Sequence, residues 1–535
     1  MPLSSPFVPF AFAVATALAA PVAASTAPAA FDADDLAHAA ALRDRALADN
    51  EAYALVESLT TEIGPRLAGT PADARAVAWA KAKFEALGYD RVRLEPVTFP
   101  VWRRGAESAQ VLAPFPQPLA ITALGGSVGT GGVLDARVVR FRDFDALKAA
   151  PDGSLAGRIA FVDLRMERHR DGHGYTPASA IRGGGAVEAA RKGAAALLIR
   201  SVGTDRDRLP HTGAMKYAEG VAKIPAAALS NPDADQLARM LARDVPVTVR
   251  LDIDAGVAGT YTSHNVIGEI VGRELPDEVV VIGGHLDSWD LGTGAIDDAS
   301  GVGIGMAAGA LIKAAGRAPR RTVRVVAWAN EESGLYGGKA YAAALDEAGV
   351  DAHQLVAESD FGAGRIYALR AGVAPAAWPV VEAIGAVLAP LGIVTEADVP
   401  TAGPGPDVLP ATARGTPWAQ LAQDGSDYFD WHHTANDTLD KVDPEALDQQ
   451  VAAYAALAWL AAESAVDFGR APPKAPAPPA PPVRERRGAT APIAARRASG
   501  PTSASANSSA PMPRAPTPRT ARPAGTAARG LRRPT

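Results

Sequence analysis

The sequence predicts an α/β protein in which a mostly parallel sheet carries helices on both faces, with a small second domain inserted into it. Three observations lead to this prediction. Strand-like and helix-like segments alternate regularly from residue 259 onward. Residues 31–125 begin with a long helical pattern and end in a strand-like one. Residues 126–258 instead show short apolar strand patterns that alternate with short helical patterns. We therefore predict one discontinuous domain, 31–125 with 259–470, and an insert, 126–258.

Composition narrows the class of protein. The chain has 535 residues, 48% of them hydrophobic and 21% charged, which is enough for two or three domains with ordinary cores. The formal net charge of −6 is the sum of a tail of about +11 and a body of about −17. An acidic body does not predict a nucleic-acid partner. Because the sequence has no cysteine, disulfides, thiolate metal sites and a cysteine nucleophile are excluded.

Both ends of the chain predict segments outside the folded domains. Residues 1–24 hold an apolar run followed by small residues, which predicts a cleaved signal peptide and a secreted or periplasmic protein. No Lys or Arg precedes the run, so a membrane anchor or a misplaced start codon stays an alternative. No other segment reaches ~18 uninterrupted apolar residues, and we expect no stable membrane association after cleavage. Residues 471–535, rich in Pro, Ala, Ser and Arg, predict a disordered tail.

The elements of the first 260 residues follow from local patterns. A helical pattern runs from Asp32 to about Leu87 and is broken at "GPRLAGTP", where Pro71 is placed to open the next helix. "YDRVRLEPVTFPVW" then alternates like a strand. The insert contains "LAGRIAFVDL", "KGAAALLIRS" and "IPAAALSNPDADQLARML", and the last two stretches resemble the protease-associated domain of several secreted peptidases. The alternative is that these residues are further α/β core.

The second half alternates strand and helix. "EVVVIGGH", "RTVRVVAWANEE" and "HQLVAESD" predict strands, and Gly301 to about Ala315 and Leu335 to Ala348 predict helices between them. In sheets built this way, ligands bind at the carboxyl ends of the strands. Each acidic cluster of this region follows such a strand end.

The clusters themselves predict a metal site. The stretch "VVVIGGHLDSWDLGTGAIDDASGVG" places one histidine and four aspartates directly after a buried strand, and ionised groups are costly to bury unless they are paired or bind a cation. The clusters are His285 with Asp287, Asp297 with Asp298, Glu331 with Glu332, Asp360, and the pair His432–His433. A single Glu-Glu or Asp-Asp pair is typical of a solvated loop or a helix cap. Acidic or histidine residues after several successive strands instead favour one shared site. Mixed carboxylate and imidazole ligands suit zinc, and also manganese or cobalt.

At this point the residues resemble a known family. "GGHLDSWDLGTGAIDDASG", "ANEESG", "ESDFG" and "HHTANDT" are similar to the four metal-site motifs of the co-catalytic di-zinc exopeptidases, which include secreted bacterial leucine aminopeptidases and carboxypeptidase Q (plasma glutamate carboxypeptidase). The "SWD" of the first motif resembles the carboxypeptidase Q branch more closely. The resemblance spans about residues 32–467 and implies the zinc-exopeptidase fold with an inserted protease-associated domain.

The resemblance also implies a role for each residue. Two zinc ions are expected, with His285 and Asp360 on the first, Glu332 and His433 on the second, and Asp297 bridging both. The implied catalytic residues are Glu331, the general base, and Asp287, which orients the imidazole of His285. Of the two adjacent histidines, His433 matches the motif better than His432, and this is the least certain of the assignments.

The implied activity is hydrolysis of short peptides by an aminopeptidase or dipeptidase type of zinc exopeptidase. Asp290, Asp298 and Asp427 in the motif loops favour binding of a free amino terminus, whereas a carboxypeptidase needs a basic group such as Arg365, Arg370 or Arg414. The alternatives are carboxypeptidase action from the other end, a catalytically inactive receptor-like homologue, and a glutaminyl cyclase with one zinc. The expected partners are short peptides, and the resemblance leaves a homodimer open.

Overall fold

The computed structural model describes residues 30–472. The predicted signal peptide and nearly all of the predicted tail lie outside these residues. Within them fourteen strands join in a single sheet, flanked by helices. The strands are β1 (Arg91–Ala113), β2 (Gln117–Leu119), β3 (Ile121–Ala123), β4 (Leu134–Phe141), β5 (Ile159–Val162), β6 (Ala196–Arg200), β7 (Ala226–Leu229), β8 (Thr248–Ile270), β9 (Leu275–His285), β10 (Arg321–Trp328), β11 (His353–Val356), β12 (Ile366–Gly372), β13 (Val394–Thr395) and β14 (Trp418–Gln423). The α-helices are α1 (Ala33–Ala48), α2 (Ala52–Ser58), α3 (Pro71–Ala86), α4 (Phe144–Lys148), α5 (Tyr175–Arg191), α6 (Asn231–Leu241), α7 (Ser300–Ala314), α8 (Tyr336–Ala344), α9 (Glu347–Ala352), α10 (Trp378–Leu388), α11 (Leu409–Thr412), α12 (Tyr428–Trp431) and α13 (Pro444–Glu463).

The predicted α/β class is confirmed, and the sheet is parallel at its centre. Strands β14, β11, β9 and β10 lie side by side in that order, and each neighbouring pair is parallel. A second parallel set, β4 to β7, belongs to the insert. The sheet departs from the predicted mostly parallel arrangement at β8 and β12, which run antiparallel to β10 and β14. It is therefore a mixed sheet with two parallel groups.

Strand β8 joins these two groups. Its first residues pair with β4 of the insert and its last residues pair with β10 of the central set. Along almost its whole length it also pairs antiparallel with β1, and both strands have 23 residues. The predicted domain limit at 258/259 falls inside this continuous strand. Strand β3, which precedes the predicted limit at 126, pairs with β7 of the insert.

The central strands are apolar on both faces because helices cover both. Val280 and Ile282 of β9 belong to the large core that also contains α7 and α13, while Val279 and Val281 pack in a separate cluster with Tyr341 of α8. Side chains on a strand alternate between faces, so a strand buried on both sides has a continuous apolar run instead of an alternating one. This explains the run "VVVI" in the sequence.

Helix α7 is almost entirely buried in the central domain. Among the described residues, Ala295–Ala314 is the one helical stretch with the length and hydropathy of a membrane span, and 94% of its most apolar window is buried in the fold. It packs against α13 and α2 on one side and against β9 and β10 on the other. Its composition therefore fits its place at the centre of the core.

The helical N-terminal region follows the expected break. Pro71 is the first residue of α3, and the Thr70 side chain accepts a hydrogen bond from the Asp73 N–H. A proline is favoured there because the first N–H groups of a helix have no partner within the helix. The broken segment 64–70 passes close to the strand ends that carry the predicted site, and Arg66 enters it.

Candidate metal centre

The predicted site residues lie together at one edge of the sheet. His285 is the last residue of β9, the Glu331–Glu332 pair follows β10, and Asp360 follows β11. Because neighbouring parallel strands end at the same edge, these side chains converge there. Asp297 comes from a broken helical turn, Ala295–Ala299, that leads into α7, and His433 follows α12.

One group of metal-ligand atoms forms around His285. Its Nε2 atom lies 2.9 Å from Oδ1 of Asp297 and 3.6 Å from Oδ1 of Asp360. The three donor atoms are close enough to one another to hold a single ion.

A second group forms on the other side of the same aspartate. The Nε2 atom of His433 lies 3.0 Å from Oε2 of Glu332 and 3.2 Å from Oδ2 of Asp297. Asp297 thus presents Oδ1 to the first group and Oδ2 to the second. This is the arrangement that a carboxylate shared by two metal ions requires.

The structure also distinguishes the two adjacent histidines. His432 Nε2 lies 3.5 Å from Asp297 Oδ2, so both imidazoles are near the bridging position. Only His433 also reaches Glu332, however, and its Nδ1 atom lies 3.3 Å from the carbonyl oxygen of Thr212. A ligating histidine usually donates its second N–H to such an acceptor. The His432 Nδ1 atom is buried and has no hydrogen-bond partner among residues 30–472.

Two carboxylates behind the cluster hold the end of β9 in place. The Asp287 carbonyl oxygen lies 3.0 Å from His285 Nδ1, and its Oδ1 accepts the Glu331 N–H at 3.0 Å. Asp298 accepts the His285 N–H at 3.0 Å and the Gly301 N–H at 2.9 Å. A Cβ on Gly284 would lie 2.4 Å from Asp298 Oδ2, so glycine is needed for this close approach. The Asp287 carboxylate is farther from the imidazole, with Oδ1 3.6 Å from His285 Nδ1, and its orienting role stays a prediction.

Two further residues, which the sequence analysis did not single out, hydrogen-bond to the backbone of residues 286–296, between β9 and α7. The guanidinium of Arg66 is fully buried and donates hydrogen bonds to the carbonyl oxygens of Leu286 at 2.5 Å, Thr293 at 2.7 Å and Gly294 at 2.9 Å. Asp437 Oδ1 accepts two backbone N–H groups of the turn before α7, each at 2.7 Å. Asp437 is in the quoted motif "HHTANDT", which was the available signal, whereas Arg66 lies some 220 residues from its partners in sequence.

The charges of the cluster call for a cation. Burial raises the pKa of Glu332 to about 7, and the nearby charge of Asp297 adds to the rise. Burial also raises the pKa of Glu331 well above its usual value, with Asp360 and Glu332 adding to it. Burial alone would lower the pKa of His433, but Glu332 and Asp297 raise it to about 9. Such shifts arise where negative charge is buried in excess.

Buried carboxylate oxygens without hydrogen-bond partners also indicate a cation site. Among residues 30–472, hydrogen-bond partners are lacking for one oxygen each of Asp287, Asp297, Glu332, Glu358 and Asp407. A buried acceptor without a partner is costly, and bound metal ions would supply the missing positive charge. The nitrogen and oxygen donors present therefore fit a metal centre.

Glu358 and Asp407 are additional buried acids that sequence reasoning missed. Glu358 Oε2 accepts the Asp407 N–H at 2.8 Å, and Asp407 Oδ1 accepts the Gly338 N–H at 3.2 Å. Burial raises the pKa of both carboxyl groups well above the usual range. Glu358 begins the quoted motif "ESDFG", but nothing in its spacing distinguished it from a solvated acid.

The acids expected to bind a substrate amine are mostly engaged elsewhere. Asp290 forms a two-pronged ion pair with Arg104, at 2.9 and 3.1 Å. Both oxygens of Asp298 accept backbone N–H groups, and Asp427 lies exposed on the rim of a surface cavity.

The basic candidates also lie away from the cluster. Arg370 pairs with Glu396 at 2.7 Å, Arg414 donates to the Ala342 carbonyl oxygen at 2.7 Å, and Arg365 lines the same surface cavity as Asp427. Asp290 and Asp298 are thus held by other groups of the chain, and an amine-binding role for them stays a prediction.

Comparison with known proteins agrees with this geometry. Residues 265–458, which contain all the predicted site residues, match the model of peptidase family M28. Carboxypeptidase Q from Bos taurus is 36% identical over 418 residues, 78% of this chain and 86% of the bovine protein. Carboxypeptidase Q from Homo sapiens is 34% identical over 78% of this chain and 86% of the human protein.

Solved structures give the same answer. The crystal structure of a peptidase M28 precursor from Shewanella amazonensis SB2B is 52% identical and has a TM-score of 0.80, covering 82% of this chain and 99% of that one. An aminopeptidase from Aneurinibacillus sp. strain AM-1 shares the fold at 22% identity, with a TM-score of 0.55 and coverage of 79% and 95%. This chain therefore belongs to peptidase family M28, and it is a metallopeptidase whose ligand set suits zinc.

Proposed function

We propose that the chain is a two-zinc exopeptidase that hydrolyses short peptides, dipeptides above all. The observation that carries this proposal is the position of Asp297, which turns one carboxylate oxygen to His285 and the other to His433. A single four-coordinate zinc would not need a carboxylate with donor groups on both sides.

The residues divide naturally between two ions. His285 and Asp360 would hold the first zinc, Glu332 and His433 the second, and Asp297 both. Zinc bound there would lower the pKa of a water molecule and polarise the carbonyl oxygen of a peptide bond.

Glu331 is the proposed general base. It is less buried than its neighbour Glu332, and it takes part in neither group of ligand atoms. Its carboxylate would accept the proton of the attacking water and then pass it to the leaving amine. The raised pKa of Glu331 suits a group that must both take up and release a proton.

Two alternatives of other classes are less well supported. An inactive receptor-like homologue has no need for a complete ligand set, yet each of the five expected ligands and Glu331 are present. A glutaminyl cyclase with one zinc has no need for a two-sided aspartate. Carboxypeptidase action stays open, because the expected amine-binding acids Asp290 and Asp298 are engaged by other groups.

The remaining expectations concern export, binding partners, the inserted domain and the oligomeric state. We propose that the protein is exported after cleavage near residue 24, acts as a secreted or periplasmic enzyme, and has neither a nucleic-acid partner nor a lasting membrane anchor. The insert, residues 126–258, is proposed to be a protease-associated domain. A homodimer stays an open expectation. N-terminal sequencing and size-exclusion chromatography of exported protein test these points.

Substitution of the neighbouring glutamates tests the mechanism. Glu331→Gln is expected to retain zinc but to lower kcat by about a hundredfold or more, the scale of a lost general base. Glu332→Gln is expected to weaken zinc binding itself. Zinc content and dipeptide hydrolysis are measured on both variants. Equal zinc loss in the two variants, with similar residual rates, would show that base and ligand have been assigned wrongly.

A further inference from the structure

The insert has a strand-end edge of its own, and charged side chains gather there. Strands β4, β5, β6 and β7 are parallel, so their carboxyl ends lie at one edge of the sheet. Arg140 is the last residue but one of β4, Asp163 directly follows β5, and Arg200 is the last residue of β6. Ligands of α/β sheets commonly bind outside such strand ends. None of these residues takes part in the metal centre or in the proposed peptidase mechanism.

A groove of about 460 Å³ opens at this edge. Besides the three strand-end residues, it is lined by Arg165 in the loop after β5 and by Asp235 and Arg239 of α6. Ala238 and Ala242 complete the α6 wall, and their small side chains leave the groove open. The volume lies within the range of cavities that hold small organic ligands. The groove is therefore large enough for more than a bare inorganic ion.

The base of the groove is a buried network of ion pairs. Arg200 donates through Nε to Asp163 Oδ1 at 2.7 Å and through Nη2 to Asp235 Oδ1 at 2.7 Å. Its Nη1 donates to the carbonyl oxygen of Asn231 at 3.1 Å. The side chains of Arg200 and Asp163 are only 4% and 2% exposed. These contacts hold both carboxylates in place before any ligand binds.

The three other arginines of the groove are only partly used by the protein. Arg140 and Arg165 each form an ion pair with one aspartate of the base, at 2.5 and 2.6 Å, yet their side chains are 43% and 55% exposed. Arg239 donates to the Gln236 side chain at 2.6 Å, and no carboxylate of residues 30–472 lies within ion-pair distance of it. A guanidinium has five N–H donors. Each of these three side chains therefore keeps donors for a ligand.

The charges that line the groove do not balance. Four arginines and two aspartates give the lining a net charge of +2. Burial alone would raise the pKa of Asp235, but hydrogen bonds from Arg200 and Arg165 hold it below its usual value, so this carboxylate stays ionised at neutral pH. Guanidinium groups that lie close together repel one another. A bound dianion would offset the whole excess charge, whereas a monocarboxylate would offset only half of it.

A phosphate monoester fits the groove in charge, in acceptors and in size. It carries a charge of about −1.5 to −2 at pH 7 and offers three strong acceptor oxygens. Guanidinium groups bind phosphate through two parallel hydrogen bonds, which the partly used arginines of the rim can supply. The volume of the groove leaves room for the organic part of the ester.

We propose that this groove is a binding site for a phosphate monoester, which Arg140, Arg165 and Arg239 hold above the buried pair of Arg200 and Asp163. The same chemical group occurs on small soluble phosphates and on the headgroup of phosphatidic acid. The site does not depend on the proposed peptidase function, because its residues and those of the metal centre are different.

Binding measurements on the zinc-loaded, full-length protein test the site and distinguish the two sources of the phosphate group. Glycerol 3-phosphate is titrated calorimetrically, with acetate as the control. Vesicles that contain phosphatidic acid are tested by co-sedimentation, with neutral phosphatidylcholine vesicles as the control. Binding of glycerol 3-phosphate would support a soluble ligand, and binding of the acidic vesicles alone would support a lipid headgroup. Binding of neither probe, or equal binding of acetate, would overturn the proposal.

Variants distinguish the groove from the metal centre, since zinc ions also bind phosphate. Arg165→Gln and Arg239→Gln are each expected to weaken binding of the phosphate probe by about tenfold to a hundredfold, the scale of a lost charge-assisted hydrogen bond. Arg158→Gln, at an exposed arginine before the opposite end of β5, is expected to leave binding unchanged. All three variants should keep the zinc content and dipeptide hydrolysis of the wild type. Unchanged phosphate binding in both groove variants would overturn the site.

Chemical protection locates the ligand without any substitution. Phenylglyoxal modifies exposed arginine side chains, and the modified positions are identified by mass spectrometry of the peptides. A saturating phosphate probe is expected to suppress modification of Arg140, Arg165 and Arg239, while Arg158 continues to react at the same rate. Equal modification of the groove arginines with and without the probe would contradict the proposal.

Discussion

The two halves of the metal centre are held by different parts of the chain. His285 and Asp360 follow adjacent parallel strands of the central sheet, and Asp298 anchors the His285 backbone. His433 instead lies on a loop after α12, where Thr212 of the insert donates its N–H to the His433 carbonyl oxygen at 3.0 Å. The first half is therefore built by the sheet, whereas the second combines Glu332, which follows β10 of the same sheet, with a histidine loop that contacts the insert.

A buried histidine of the insert, His211, contacts the loop that carries His433. His211 Nδ1 lies 2.7 Å from the His432 carbonyl oxygen, and its Nε2 lies 2.7 Å from Asp205 Oδ1. Asp205 is in turn held by Asn231 at 2.9 Å. The insert thus has a structural role at the candidate metal centre.

The largest effect is expected where the two halves meet. Asp297→Asn removes the charge that both groups share and is expected to abolish binding of both zinc ions and all hydrolysis. Zinc content by elemental analysis and dipeptide turnover are compared with those of Asp277→Asn, a change in an exposed aspartate outside the site. A folded Asp297→Asn protein that keeps both ions would show that the carboxylate is not shared.

Loss of one half alone is the next largest effect. His433→Ala is expected to reduce zinc from two ions to one per chain and to lower activity strongly, because Glu332 loses its companion ligand. His432→Ala is the matched control and is expected to keep both ions. The reverse result would assign the ligand to His432, whose Nε2 also lies near Asp297.

A smaller loss of zinc affinity is expected when a supporting residue of the insert is substituted. His211→Gln removes the contact that supports the His433 loop, and zinc affinity at the second position is expected to fall about tenfold to a hundredfold, as for other groups that orient ligands. The first position should be unchanged. His173→Gln, at an exposed histidine of the insert, serves as control. Equal weakening of both zinc positions in His211→Gln would mean that the halves are not supported separately.

The last expected effect concerns the pH dependence of stability in the metal-free protein. Burial raises the pKa of Glu332 and of Asp437 to about 7, from ordinary values of 4.5 and 3.8, so the unfolded chain releases these protons first. Stability is therefore expected to fall between about pH 4 and 7, by up to ~1.4 kcal/mol per pH unit for each proton. The stability contributed by His433 is present below pH 6.5 and is lost as pH rises through its raised pKa of about 9.

Urea unfolding across pH 4–9 with and without zinc measures this dependence. Because zinc is proposed to bind the deprotonated carboxylate of Glu332, the zinc-loaded protein is expected to lose less stability as pH rises. Identical pH profiles for the two forms would contradict the placement of a cation in this cluster.

The grouping of the strand-end residues at one edge of the sheet was predictable from the sequence because each follows a recognisable strand. Each of His285, Glu332 and Asp360 follows an apolar strand, and parallel strands bring their ends together without further information. The same reasoning predicted the helix start at Pro71 and the extent of α7.

Residues that act across long separations were not predictable. Arg66 and His211 carry no motif, and their contacts with the site form only when distant segments of the chain pack against it. The motif favoured His433 over His432, and the contact of His433 with Glu332, which supports that choice, could be seen only in the structure. The antiparallel course of β8 was missed because its pairing with β4, β1 and β10 is set by tertiary contacts, not by periodicity.

The number of zinc ions needed for activity tests the shared role of Asp297 most directly. Metal-free protein is titrated with zinc while binding is followed by calorimetry and activity by hydrolysis of a dipeptide. Two equivalents per folded chain are expected, with full activity only after the second has bound. Full activity at a single equivalent, with no second binding event, would contradict the two-zinc centre.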